Sequence, residues 1–247
     1  MNQVTLAVFA NLALFCLGYL LFGSLNTSII LSHKYRNDDI RNHFSKNAGA
    51  TNSLRAYGKK FALTVFLIDS FKTSLPVIIF ATLCNHVFPT YAHTYKLFPQ
   101  LIGFGTVVGH CFPIYFKFKG GKGVACATGL LLSTNIVLFL IAAVTFFCIA
   151  FTKKMVSLAS IMSAVSVLPF ALFPWMVQGE LGWWLNVKFY SPGFLPNEPW
   201  WFINGLVVLL AAILVIVMHH SNIKRLLQKK EKPLNLKEVG VKNNNQN

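Results

Sequence analysis

Six long apolar runs, at about 4–31, 61–85, 97–113, 124–151, 155–178 and 201–218, set the terms for this chain. Most match the roughly 20 apolar residues that a helix needs to cross a bilayer. Only 12% of the residues are charged and 55% are apolar, whereas a soluble domain carries about 25% charged residues. The runs predict an all-α polytopic integral membrane protein. Its 247 residues suffice for one compact membrane domain, residues 1–232, and a polar, disordered tail over 233–247 that ends Lys-Asn-Asn-Asn-Gln-Asn. Met1-Asn-Gln has no basic region and no clear cleavage site follows the first run, so that run reads as a retained helix and not a removed signal peptide.

Basic residues are unevenly spread between the runs. Residues 33–60 hold seven Lys or Arg, 114–123 three, 153–154 two and the tail from His219 seven, while 86–96 and 179–200 hold one each. The positive-inside rule places the four basic regions in the cytoplasm. A single crossing by 124–151 would put Lys153-Lys154 and the tail outside. A hairpin breaking near Ser133-Thr134-Asn135 removes the conflict. Its two arms of about 14 residues rise roughly 21 Å each, short of a ~30 Å core. About seven transmembrane or half-membrane helices follow, N-terminus outside and C-terminus cytoplasmic. Five full spans with 124–151 partly re-entrant is the alternative.

The segment Gly109-His-Cys-Phe-Pro-Ile-Tyr-Phe-Lys-Phe-Lys-Gly-Gly-Lys-Gly123 places a glycine- and lysine-rich turn between two apolar runs. Gly120, Gly121 and Gly123 let backbone N–H groups approach a ligand closely, and Lys117, Lys119 and Lys122 surround them with positive charge. Oxyanions suit such a site, phosphate above all.

Four further polar groupings fall on the same inferred side. Asp39-Ile-Arg41, Ser45-Lys-Asn47, Gly49-Ala-Thr-Asn-Ser-Leu-Arg55 and Gly58-Lys-Lys60 mix hydroxyls and amides with cations. They fit a phosphate and polyol site, and equally an ordinary basic loop drawn to anionic lipid. Asp69 and Lys72, three apart in an apolar run, share a helix face as a structural ion pair or a functional one. Ser157 and Ser160 repeat that spacing, as helix contacts do. His219 and Asn222 share a face where the last run meets the cytoplasm, which makes His219 an interface residue or a donor or proton carrier beside a phosphate.

Other classes are disfavoured. The net charge of +15 belongs to membrane loops, with no soluble basic domain to hold nucleic acid. Cys16, Cys84, Cys111, Cys126 and Cys148 form no CxxC pair, which argues against disulfide and metal. His33, His43, His86, His93 and His220 show no ligand spacing. Gly123 follows Lys122 where a Walker A motif needs Ser or Thr, so neither nucleotide nor metal is implied. An organic-phosphate transporter and a noncatalytic lipid-binding protein remain as rivals. The first expects polar groups at the midplane; the second needs no glycine-rich turn.

Taken together, these stretches resemble the bacterial acyl-phosphate:glycerol-3-phosphate acyltransferases, the PlsY family of integral membrane enzymes. The similar segments are Gly18-Tyr-Leu-Leu, Gly23-Ser24, Asp39-Ile-Arg41, the Gly49–Arg55 segment, Gly58-Lys59, Asp69-x-x-Lys72, Gly109-His-Cys-Phe-Pro113, Phe118–Val124, Val156-Ser-Leu-Ala-Ser160 and His219-x-x-Asn222-Ile-Lys-Arg-Leu-Leu227 with Glu231. The resemblance implies acyl transfer from acyl phosphate to the 1-hydroxyl of glycerol 3-phosphate in the bacterial cytoplasmic membrane, the first acylation of phospholipid biosynthesis, without a cofactor. It implies catalytic roles for Ser45, Arg55, Lys122, His219 and Asn222. Substrate binding would fall to Asn47, Thr51, Asn52, Lys59, His110, Lys119, Gly120, Gly121, Gly123 and Ser157, and structural roles to Asp69, Lys72 and Glu231. The family is thought to need no protein general base.

The chain departs from the family pattern in places. Phe44 and Lys46 flank Ser45 where the family usually has glycine, Thr73 follows Lys72 where glycine is usual, and Asn26 replaces a common Pro. No departure removes a charged site residue, so activity is expected.

Overall fold

The computed structural model describes residues 2–173, 202–231 and 233. The 179–200 stretch, the last residues of the 155–178 run and nearly all of the 233–247 tail lie outside the described residues.

Helices α1 (Gln3–Leu17), α2 (Thr27–Arg36), α3 (Ala50–Tyr57), α4 (Lys59–His86), α5 (Pro89–Thr94), α6 (Gln100–Cys111), α7 (Val124–Thr134), α8 (Ile136–Lys153), α9 (Val156–Ala171), α10 (Ile203–Met218) and α11 (His220–Leu227) follow one another in the chain. Among the described residues, Gln3–Arg36, Lys59–His86 and Ile136–Lys153 are long and apolar enough to cross a membrane. Gln100–Phe116, Val124–Thr134 and Val156–Ala171 are shorter apolar units, and α10 meets α11 at a 57° bend. Three candidate spans, a fourth if the bent pair counts as one, and three shorter apolar units thus stand, among the described residues, where about seven transmembrane or half-membrane helices are expected. Val4, Val8 and Phe9 on α1, and Val144, Phe147 and Phe151 on α8, lie exposed, as a lipid-facing surface requires.

The break in the 124–151 run falls at Asn135, but the arms are unequal. Asn135 N–H donates to the Leu131 carbonyl and ends α7, while its side-chain oxygen accepts from Leu138 N–H at 2.9 Å and starts α8. Ser133 does not break the helix, because its hydroxyl bonds back to the Gly129 carbonyl at 3.0 Å. Eleven residues in α7 rise about 16 Å and eighteen in α8 about 27 Å, so only the first arm is a half-membrane helix.

The first run also breaks. A π-helical turn at Gly18–Gly23 follows α1, and the Asn26 side chain then caps α2. Helix packing in lipid depends on close van der Waals approach, which small residues permit. A Cβ on Gly18 would lie 1.9 Å from the Ile102 carbonyl oxygen, and one on Gly105 2.1 Å from that of Phe15. The π turn and α6 therefore touch backbone to backbone. This contact fixes α6, whose C-terminal end carries His110 and the turn beyond it. Elsewhere α4 packs on α7, and α9 packs on both α8 and α10.

Candidate active site

A cavity of about 420 Å³ opens among α3, α4, α7, α8, α9 and α10. One end is polar: Ser45, Asn47, Thr51, Arg55, Lys122, Ser157, His219, Asn222 and Arg225 line it. The other end runs between Phe66, Leu131, Phe146, Val167 and Ala212. All four basic regions of the sequence border the polar end or adjoin residues that do.

Three helices start at the polar end. Gly49, Gly123 and Met155 precede α3, α7 and α9, and none of the three N-termini has a side-chain cap. Their first residues, Ala50, Val124 and Val156, line the cavity. Uncapped N-termini present free N–H groups and a partial positive charge, an arrangement suited to anions. Arg55, Lys122 and Arg225 add three full cations, against which Glu231 is the nearby carboxylate.

Glu231 organises one wall. Its Oε2 accepts from Arg225 Nε at 2.7 Å and its Oε1 from Asn222 Nδ2 at 2.9 Å. Asn222 Nδ2 also donates to Ser157 Oγ at 2.6 Å, and Lys122 Nζ donates to Asn222 Oδ1. Burial raises the Glu231 carboxyl, but hydrogen bonds from Ser157, Arg225 and Asn222 more than offset this and hold it below the usual range. Burial, helped by the nearby Arg225 cation, pushes the Lys122 ammonium down to about 8. His219 Nδ1 lies 2.7 Å from the Val215 carbonyl. A carbonyl only accepts, so Nδ1 carries the proton and the neutral ring keeps Nε2 as an acceptor.

Asn52 holds the opposite wall. It accepts Ser45 N–H at 3.2 Å and donates to the carbonyls of Ile40 at 3.0 Å and His43 at 3.1 Å. Phe44 (φ 41) and Lys46 (φ 55) both take left-handed backbone beside Ser45. These are the two positions where the resembled family usually has glycine, so the loop keeps the glycine conformation without the residue that adopts it freely. Phe44→Gly or Lys46→Gly should raise the thermal midpoint. Relief of about 1–2 kcal/mol of left-handed strain outweighs about 0.5–1 kcal/mol of added unfolded-chain entropy. A lower midpoint for both variants would show that the side chains stabilise the loop by other means.

Beneath the turn, Asp69 Oδ1 receives Lys72 Nζ at 2.8 Å and Thr27 Oγ1 at 2.6 Å, with His110 Nδ1 at 3.6 Å. Lys72 also donates to the Leu25 carbonyl at 2.9 Å. The pair therefore ties α4 to the start of α2. Asp69, His110 and Cys126 bring atoms capable of metal ligation within 4.8 Å of one another. The Lys72 ammonium already supplies the positive charge that this carboxylate needs, which favours an internal ion pair over a cation site.

A family model described as glycerol-3-phosphate acyltransferase matches residues 12–229. The glycerol-3-phosphate acyltransferase of Mycoplasmopsis agalactiae is 50% identical over 96% of this chain and 99% of its own length. That of Mycoplasmopsis synoviae is 40% identical over 95% and 99%. The chain belongs to the glycerol-3-phosphate acyltransferase family. A solved structure of PlsY (YgiH), an integral membrane glycerol 3-phosphate acyltransferase, in its glycerol 3-phosphate form superposes with a TM-score of 0.67 at 28% identity, covering 94% of this chain and 97% of that one. Its lysophosphatidic acid form gives 0.65 at 26% identity over the same shares.

Of the residues named from this acyltransferase's sequence, Ser45, Asn47, Thr51, Asn52, Arg55, Asp69, His110, Lys122, Gly123, Ser157, His219 and Asn222 line the cavity. Lys59, Lys72, Lys119, Gly120, Gly121 and Glu231 do not. Lys59 begins α4 in an exposed position. Gly120 and Gly121 face His110. Arg225 lines the cavity as well, and the sequence signals it only by continuing the three-residue spacing of His219 and Asn222 along one helical face.

Proposed function

We propose that this chain transfers a fatty acyl group from acyl phosphate to the 1-hydroxyl of glycerol 3-phosphate, giving lysophosphatidate and inorganic phosphate. The observation that carries this reading is one cavity with three uncapped helix N-termini and three cations at one end and an apolar groove at the other. Two phosphates repel each other, and that density of positive charge holds both. The groove suits the acyl chain.

An acyl phosphate is a mixed anhydride, so no covalent enzyme intermediate is needed. The hydroxyl oxygen attacks the acyl carbon, the bond from that carbon to the phosphate oxygen breaks, and the leaving phosphate takes the proton. His219 Nε2 orients the glycerol by accepting from its 2-hydroxyl, which leaves the hydrogen of the attacking 1-hydroxyl to pass to the phosphate. Lys122, Arg55 and the N-termini of α3 and α7 stabilise the developing oxyanion and the phosphate charge. Asn52 acts by holding the Ser45 loop, and Glu231 by holding Asn222 and Arg225.

Purified protein in lipid, given labelled glycerol 3-phosphate, should form lysophosphatidate with acyl phosphate and not with acyl-CoA. Turnover with acyl-CoA alone would overturn the donor assignment. The Lys122 ammonium is charged below about pH 8 and neutral above it. A positive charge is needed to bind phosphate, so kcat/KM should fall as pH rises through that value. The free enzyme's groups govern kcat/KM. Lys122→Arg should remove this alkaline limb, and its persistence would assign it to another group.

A further inference from the structure

We propose that Arg41 is a positioning residue, which sets the conformation of the lysine- and glycine-rich turn without touching substrate. The proposal rests on the reading of that turn as the phosphate-binding segment. The Arg41 guanidinium is divided between two tasks. Nε and Nη2 hold Asp39, at 3.0 Å and 2.7 Å. Nη1 is left to donate to the carbonyls of Phe116 at 3.0 Å and Lys119 at 3.4 Å.

Those two carbonyls bracket the most strained piece of the turn. Lys117 and Phe118, between them, are consecutive left-handed residues, each with φ 57, and neither is glycine. Such a conformation persists only where its surroundings over-determine it. Arg41 closes both ends of it with one planar group. Two further contacts dock the same two segments: Phe116 packs on Ile29, Ile40 and Ala48, and Ala48 N–H donates to the Gly120 carbonyl at 3.3 Å. Arg41 is not among the residues lining the cavity. Its effect reaches the site through the chain, which runs from Lys119 to Lys122 in three residues. The geometry also explains why arginine is needed. A lysine ammonium is a point donor and cannot span two carbonyls while pairing with Asp39.

The test compares Arg41→Ala, Arg41→Lys, Lys122→Ala and Lys34→Ala in lipid, reading KM for acyl phosphate, kcat, inhibition by inorganic phosphate and the thermal midpoint. Arg41→Ala should raise both KM and the inhibition constant of inorganic phosphate about tenfold, the scale of one lost charge-assisted contact, with a smaller change in kcat. Arg41→Lys should recover only part of this, and Lys34→Ala should behave as the parent. Parental KM and phosphate inhibition in Arg41→Lys would make Arg41 a source of bulk charge and overturn the proposal. So would parental constants in folded Arg41→Ala. Should Arg41→Ala not fold, Arg41→Lys decides alone by the same criterion. If Lys122→Ala also leaves phosphate inhibition unchanged, the reading of the turn fails; if Lys122→Ala weakens it and the Arg41 variants do not, only the role given to Arg41 fails.

Discussion

Lys122→Ala and Arg55→Ala should each lower kcat/KM by roughly 30- to 1000-fold, that is about 2–4 kcal/mol of transition-state stabilisation at about 1.4 kcal/mol per decade. Both side chains line the polar end of the cavity. Lys122 is also bonded to Asn222, so its removal leaves that amide oxygen without its donor as well as removing a charge. Arg55→Lys should remain poor, since an ammonium cannot reproduce the two-pronged guanidinium contact with phosphate. Lys34→Ala and Lys153→Ala remove exposed cations outside the cavity and should lose far less. Equal losses in all four alanine variants, measured as kcat/KM, would make general basicity the better explanation.

Gly121→Ala and Gly120→Ala should be nearly as damaging, for a reason that differs from the one the sequence implies. The sequence points to backbone that must approach a ligand. In the structure the crowding comes from the protein itself. A Cβ on Gly121 would lie 2.1 Å from His110 Nε2 and 2.6 Å from the Ala48 carbonyl oxygen; one on Gly120 would lie 2.1 Å from the His110 carbonyl oxygen and 2.5 Å from Pro113 Cδ. Gly121 N–H donates to that same His110 carbonyl at 3.0 Å. A main-chain oxygen has no rotamer by which to step aside, so the turn must move and carry Lys122 with it. Overpacking of this kind costs about 1–3 kcal/mol of stability, and displaced catalytic groups can cost about 100-fold in rate. Both the thermal midpoint and kcat/KM should fall. Unchanged kinetics in both variants would reduce the turn to a connector.

Much of the architecture was legible because membrane insertion leaves a coarse record. Run length gave the helices, loop charge gave the shared side, and the demand that Lys153-Lys154 rejoin that side placed a break that Asn135 supplies through its capping side chain. The site's polar lining was legible to the extent that one residue type at one spacing implied one face, as with His219 and Asn222. What stayed hidden depends on contacts between distant segments. No local pattern announces that α3, α7 and α9 all begin at one point, because an uncapped N-terminus looks like a missing feature until its neighbours are known. Arg41 stays hidden for the same reason, since its partners are carbonyls more than seventy residues away. The left-handed backbone at Phe44 and Lys46 runs against side-chain preference, and the network around Asn52 imposes it.

The apolar half of the cavity does not end in a sealed wall. Leu67 and Phe71 of α4 and Phe147 of α8 line it and are also exposed on the outer surface, at 41%, 49% and 54%. The slot is therefore open sideways, through apolar side chains on the outer surface of two candidate membrane spans, and its other end is cationic. The proposed reaction makes one product for each phase. Inorganic phosphate is soluble only on the aqueous side, and the acylated glycerol phosphate is a surfactant that stays at the bilayer surface. On that proposal the two should leave by separate exits and be diluted into separate compartments, one of three dimensions and one of two. Their chance of meeting again in the slot is small, so partitioning adds a forward bias to a reaction already driven by anhydride cleavage. A lipid made there should pass directly into the leaflet it enlarges.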